Sequence, residues 1–193
     1  MDVFTRNEIK DILISVAALT LIFAWKPFPK FGLDIGLLPT FAVIVVVAFV
    51  FHELAHKFTA RRFGLVAHYK MWPQGILFGF VFMILGLKFV APGAVQIYPY
   101  RFGRWGHRRA RVQFAEMGIT AGAGPAINII LAIVFSLFEG NIFHSLTFIN
   151  AWLALFNLLP FPPLDGSKVL TWKPWIWAMM FGLALILVLV TVL

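Results

Sequence analysis

Cysteine is absent from the chain. That absence excludes disulfides, thiolate metal ligands and a cysteine nucleophile together. Charge is scarce as well: 12% of the 193 residues are Asp, Glu, Lys or Arg, against roughly 25% in an ordinary soluble domain. Histidine is limited to 5 scattered residues, too few and too dispersed for the clustered boxes of a membrane oxygenase or desaturase. No Ser/Gly-rich linker, low-complexity tract or repeat interrupts the chain, so residues 1–193 are read as a single domain. The N-terminus lacks a clearly positive leader, because Asp2, Glu8 and Asp11 offset Arg6 and Lys10. Its apolar run ends at Trp25-Lys26-Pro27 rather than at small residues, and the expectation is a retained first helix, not a cleaved signal peptide.

What fills the chain is apolar: 61% of the residues are hydrophobic. A transmembrane helix needs about 20 mostly apolar residues, and the stretches 9–25, 38–60, 117–138, 145–160 and 175–193 qualify or nearly do. A sixth stretch, 75–90, is shorter and holds Gly75, Gly79, Gly86 and Lys88. The formal charge of +8 comes from basic residues beside these segments. Such placement is the mark of cytoplasmic loops, so a lipid bilayer is the expected partner and nucleic acid is not.

The charges also bear on the sixth stretch. Lys57, Arg61, Arg62 and Lys70 precede it, and Arg101, Arg104, Arg108, Arg109 and Arg111 follow it. A spanning 75–90 would place these two basic loops on opposite sides, which the positive-inside rule disfavours. The fold class expected is therefore an all-α polytopic membrane protein. It has about five transmembrane helices plus a re-entrant or interfacial hairpin at 75–90, six spans being the alternative. Segments 64–72 and 87–100 are rich in β-formers and turn residues, which gives the hairpin region some β character. On this scheme 57–116 and 161–174 lie on the cytoplasmic side, and the C-terminus lies outside.

Inside the second span stands FHELAHKFTARRFG (51–64). His52 and His56 are four residues apart and so project from one helix face. That spacing lets two imidazoles bind one Zn²⁺ while the adjacent Glu53 reaches a water at the metal. A glutamate with no function in such apolar surroundings would be costly. Arg61 and Arg62 mark the cytoplasmic surface, and the helical rise puts the metal about 8–14 Å below it.

A catalytic zinc usually takes three protein ligands. His68 and His107 fall in the basic loops and His144 on the outer side, so none is a good third ligand. Glu116 and Glu139 sit at opposite edges of the third span. Asp165, in NLLPFPPLDGSKVL (157–170), follows Pro160, Pro162 and Pro163, which break the fourth span and turn the backbone back. From the residues alone, Asp165 is equally a helix N-cap ahead of Gly166. In the third span Gly118, Gly122 and Ala126 recur every four residues and allow close packing, expected against the metal helix. Asn128, one turn beyond Gly124-Pro125, is either an interhelical hydrogen bonder or a support for the site.

HELAH (52–56) and NLLPFPPLDG (157–166), in this order, resemble the site-2 protease family of zinc intramembrane metalloproteases, and AGPAIN (123–128) is similar to that family's Gly-Pro-x-x-Asn helix. The likeness covers a core of about 38–170. It implies one Zn²⁺ per chain held by His52, His56 and Asp165, Glu53 as the catalytic base, and Asn157 as a residue that binds substrate or polarises its carbonyl. Gly124 and Asn128 would support the site or pack the helices. It also implies an integral, multi-pass protein that cleaves transmembrane segments of single-span membrane proteins, such as membrane-tethered transcription regulators, in regulated intramembrane proteolysis. A helical substrate must unwind to expose its carbonyl, and an edge strand at 64–72 or 91–98 would hold it by strand addition. The sequence departs from many members in having no inserted PDZ domain, no CBS domains, and a hydrophobic 75–90 insertion before APGAV (91–95). The alternatives are a membrane zincin cleaving loops or soluble tails and an inactive membrane zinc protein.

Overall fold

The computed structural model describes residues 3–26, 30–87, 91–103, 106–109 and 111–193. Asp2, Pro27, Lys88 and Arg104, each used above, lie outside the described residues, as do the side chains of Arg101, His107, Arg108 and Arg109. The chain forms two compact units interleaved in sequence: Met1–Val50 with His68–Gln96, and Phe51–Ala67 with Ile97–Leu193.

The first unit opens with α1 (Arg6–Ala24), which starts from a reciprocal capping box. The Thr5 hydroxyl accepts the Glu8 N–H at 3.2 Å, and Glu8 Oε2 accepts the Thr5 N–H at 3.4 Å. A short antiparallel pair, β1 (Trp25–Lys26) and β2 (Gly32–Leu33), follows. The chain then runs as one helix over Ile35–Arg62. Within it a 3-10 turn (Ile35–Leu37) leads into α2 (Leu38–Val45), a π turn (Val46–Val50) and α3 (Phe51–Arg62). The π turn directly precedes the histidine motif, and such turns are frequent at functional sites.

β3 (Leu65–Met71) and β4 (Gly93–Gly103) confirm the β character expected at 64–72 and 87–100. With β5 (Gly106–Arg109) they form a sheet in the order β3-β4-β5. β5 turns back antiparallel on β4, pairing Tyr100 with Arg109 through Gly103 with Gly106. β5 flanks only the Tyr100–Gly103 end of β4 and does not reach 91–98. β3 is an edge, but α1 occupies it. Trp72 donates its N–H to Pro92 O at 2.8 Å, so by strand alternation the Tyr69 and Met71 N–H groups point the other way. Glu8 Oε1 accepts the first at 2.9 Å and Asp11 Oδ2 the second at 3.1 Å. Ser15, one turn further along α1, bonds the Tyr69 hydroxyl at 2.8 Å. Leu19, Val45, Phe49 and Tyr69 form the apolar core beneath this polar row.

The 75–90 stretch leaves and returns at one level, as a hairpin does: the Trp72 N–H meets Pro92 O at 2.8 Å, and Gly75 lies against Ala91. It forms a single helix, α4 (Pro73–Ile84), whose 12 residues reach about 18 Å against a hydrocarbon core of about 30 Å. Gly75 and Gly79 are buried within the helix, and a Cβ at Gly75 would overlap Ala91 O and the Trp72 ring. They serve close packing, and the turn comes only at Gly86, with φ 81°.

In the second unit α5 (Phe114–Phe135) packs against α3, α6 (Asn141–Asn157), α7 (Asp165–Trp172) and α8 (Pro174–Val192). Ile129, Ala132, Ala151, Ala154, Leu158 and Ala184 supply its apolar core. All five expected spans coincide with helices. Among the described residues, three are both long and apolar enough to cross a bilayer: Ile35–Arg62, Phe114–Phe135 and Pro174–Val192. α1 carries Arg6, Glu8, Lys10 and Asp11 in its first two turns, and α6 has 17 residues. The outer face of α8 exposes Trp175, Met179, Ile186 and Val190, a continuous apolar surface of the kind that marks a contact with lipid or protein.

Glu8 is 2% exposed, so replacing it by alanine strands the Tyr69 N–H. Glu8→Ala is expected to lose about 1–3 kcal/mol of stability, measured by denaturant unfolding in detergent, and Glu8→Gln, which keeps an acceptor, less. Equal stability of Glu8→Ala and the parent protein would show that this contact does not hold α1 to the strand.

Candidate metal centre

The i, i+4 spacing on α3 brings His52 and His56 together as expected: both are buried, and their Nε2 atoms are 3.0 Å apart. Asp165, the first residue of α7, places Oδ2 at 3.0 Å from His56 Nε2 and 3.4 Å from His52 Nε2. The three donor atoms therefore form a nearly equilateral triangle. Tetrahedral zinc with bonds of about 2.0–2.1 Å spaces its ligand atoms at about 3.3 Å. Two imidazoles, one carboxylate and an open fourth position are what a catalytic zinc takes. Among the described residues no other group of three His, Cys, Asp or Glu side chains is placed to hold a metal.

The distal imidazole nitrogens are fixed as well. His56 Nδ1 donates to the backbone carbonyl of Thr120 at 2.7 Å. A carbonyl only accepts, so that ring carries its proton on Nδ1 and offers the Nε2 lone pair to the metal. His52 Nδ1 is 2.5 Å from Asn128 Oδ1, and Asn128 Nδ2 donates to Asn150 Oδ1 at 2.8 Å. Asn128 thus fills both roles considered for it, supporting a histidine and joining α5 to α6. The motifs pointed to neither Asn150 nor the Thr120 carbonyl. Asn150 is one of three asparagines on α6 and belongs to no recognisable motif, and a main-chain group leaves no mark in side-chain patterning.

Helix α5 comes close enough for these bonds because of Gly124. A Cβ built there would overlap His56 Nε2 and press on His52 Cε1. The expected Gly118/Gly122 packing surface meets a different partner. A Cβ at Gly118 would overlap the Trp172 side chain, and one at Gly122 would touch Val169 at 3.7 Å. That stripe receives α7, not the metal helix. Residue 124 lies about 200° around the helix from residue 122, so α5 turns one small face to the histidines and another to the helix that carries the third ligand.

Asp165 does not serve as an N-cap. Leu164 is the cap residue, and α7 has no side-chain cap bond. A Cβ at Gly166 would overlap the Leu158 carbonyl, so the Asp-Gly pair lets α7 begin directly against the end of α6. Burial resists ionisation of Asp165, but the His56 and His52 rings, when protonated, outweigh it and hold the carboxyl well below its usual range. Lys168 Nζ approaches the other carboxylate oxygen, Oδ1, at 3.4 Å.

The remaining predicted residues fall as follows. Glu53, next to His52 in the chain, is buried on α3. Asn157 ends α6 and donates to Leu153 O of its own helix at 3.0 Å. Glu116 completes the α5 capping box, accepting the Gln113 N–H at 2.9 Å. His68 lies 3.5 Å from Glu8, and His144 bonds Thr191 O at 3.1 Å.

Asp165→Asn removes a charged ligand without removing a cap. Zinc affinity, read by chelator competition, is expected to fall by at least the roughly 10–100-fold that loss of a mere supporting partner costs, with unfolding little changed. Full zinc affinity in this variant would remove Asp165 from the metal.

No family model matches the chain, and no solved structure matches it. Two curated proteins do. The "Putative zinc metalloprotease MJ0611" of Methanocaldococcus jannaschii is 37% identical over 193 residues, covering 95% of this chain and 93% of that protein. The "Putative zinc metalloprotease YwhC" of Bacillus subtilis is 30% identical over 161 residues, covering 70% of this chain and 69% of that protein. With near full-length similarity at this level and a three-ligand metal centre in place, the chain belongs to the zinc metalloprotease family that these two proteins represent.

Proposed function

We propose that the protein is a zinc-dependent intramembrane endopeptidase of the site-2 protease type. The observation that carries this reading is the position of the donor triad. His52 and His56 stand on a helix, Ile35–Arg62, that is long and apolar enough to cross a bilayer. They precede its basic end at Arg61 and Arg62 by only a few turns. A peptidase centre at that depth acts on bonds within or beside the membrane, so the substrates are transmembrane segments of single-span membrane proteins. Five helices then cross the bilayer, α4 lies at its interface, and the active site opens toward the cytoplasmic face, where the basic segments collect.

In this mechanism His52, His56 and Asp165 would hold one Zn²⁺. When bound, it supplies Lewis-acid polarisation of a carbonyl and brings the pKa of a bound water to about 7. The Glu53 carboxylate takes the proton of the attacking water and returns it to the leaving amine nitrogen. Asn157 commits one amide hydrogen to Leu153 O, and its second is the donor for a substrate carbonyl. Strand addition of unwound substrate at β3 would require α1 to release the Tyr69 and Met71 N–H groups, because Glu8 and Asp11 hold them.

Glu53→Gln tests this reading in zinc-loaded protein reconstituted in liposomes with a single-span reporter. The variant is expected to keep its zinc and to lose cleavage by about 10²–10⁴-fold. Zinc lost together with activity would make Glu53 a ligand instead. Cleavage of the reporter's soluble tail, with its membrane segment intact, would replace intramembrane proteolysis with the loop-cleaving alternative.

A further inference from the structure

The polar chain behind His52 does not end at Asn128. Asn128 and Asn150 are both fully buried, and Asn150 Nδ2 in turn donates to the Leu146 carbonyl, one turn back on α6, at 2.8 Å. An amide side chain offers an oxygen acceptor at one end and N–H donors at the other, and either can be turned toward a neighbour. Leu146 O permits no such choice, since a carbonyl only accepts. It fixes Nδ2 of Asn150 toward itself, which turns Oδ1 toward Asn128. Asn128 must then present Nδ2 to Asn150 and Oδ1 to His52. His52 is left with its proton on Nδ1 and its lone pair on Nε2, the form that binds a metal.

We propose that Asn150 is a positioning residue of the zinc centre, orienting His52 through Asn128. The inference rests on the zinc reading of the site and extends it to α6, a helix that contributes no ligand. Asn128 alone cannot set the tautomer. With no acceptor at 150 its amide is free to reverse and present N–H to His52 Nδ1. Nδ1 would then have to accept, and the ring proton would move to Nε2, where it competes with the metal. A plain interhelical clamp between α5 and α6 uses the same atoms but is indifferent to the direction of the chain. The two roles therefore separate in the variants.

The test is zinc affinity by chelator competition on the full-length protein in detergent, with unfolding followed in parallel. Asn150→Leu removes both the acceptor and the donor, and zinc affinity is expected to fall about 10–100-fold, the usual cost of losing such a partner behind a metal-binding histidine. Asn150→Asp, as the neutral acid, still donates to Leu146 O and accepts from Asn128, and is expected to bind zinc within a few-fold of the parent. Asn150→Ala repeats the deletion with the least steric disturbance should the leucine variant not fold. A deletion variant with parental affinity would overturn the proposal whatever its stability, and so would an aspartate variant that loses as much as the deletions. A parent protein that takes up no zinc would reject the zinc reading itself, whereas a zinc-binding parent with unaffected variants would reject only the role of Asn150.

Discussion

The centre depends on how closely α5 passes the two imidazoles at Gly124. With any side chain at that position the helix would stand off from α3. The Thr120 carbonyl and Asn128, both on α5, would then lose His56 and His52. The same helix receives α7 on its other small face, at Gly118 and Gly122, and α7 begins with the third ligand. One helix with small residues on two faces thus sets the distance between ligands that lie 109 or more residues apart in sequence. Backbone proximity, which small residues permit in a membrane bundle, is here converted into the geometry of a metal site.

Burial then raises the stakes of each polar group. His52, His56, Asn128 and Asn150 are all buried, and inside a protein an unpartnered amide or imidazole is expensive. Their hydrogen bonds run in one direction, from histidine nitrogens to groups that can accept, and end on the main-chain carbonyls of Thr120 and Leu146. The histidines are consequently held ready for a cation. The carboxylate of Asp165, 3.0 and 3.4 Å from their Nε2 atoms, supplies the charge that two neutral imidazoles lack.

The parts read correctly from sequence were those coded locally. The i, i+4 histidines needed only a helix, and the apolar runs were long enough to mark all five helices that carry them. The prolines and glycine around Asp165 marked a sharp return of the chain but left it equally a ligand or an N-cap, and only the resemblance of NLLPFPPLDG decided between them. The errors have physical causes too. Spacing of four identifies Gly118 and Gly122 as one face but cannot say which helix meets it, and it met α7. The carboxylates of α1 were weighed only as N-terminal charge, because their partners on β3 lie some 60 residues away. Asn150 had no motif around it, and its meaning comes entirely from Asn128 and Leu146.

The central claim is that this chain holds one zinc through two imidazoles and one carboxylate, with a position left open. X-ray absorption at the zinc edge of the metal-loaded protein measures that donor set directly. The expected spectrum shows four light donors at about 2.0–2.1 Å, with the outer-shell scattering of two imidazole rings. Three or more imidazoles, or a shell of water and carboxylate oxygens with no imidazole, would contradict a centre built from His52, His56 and Asp165.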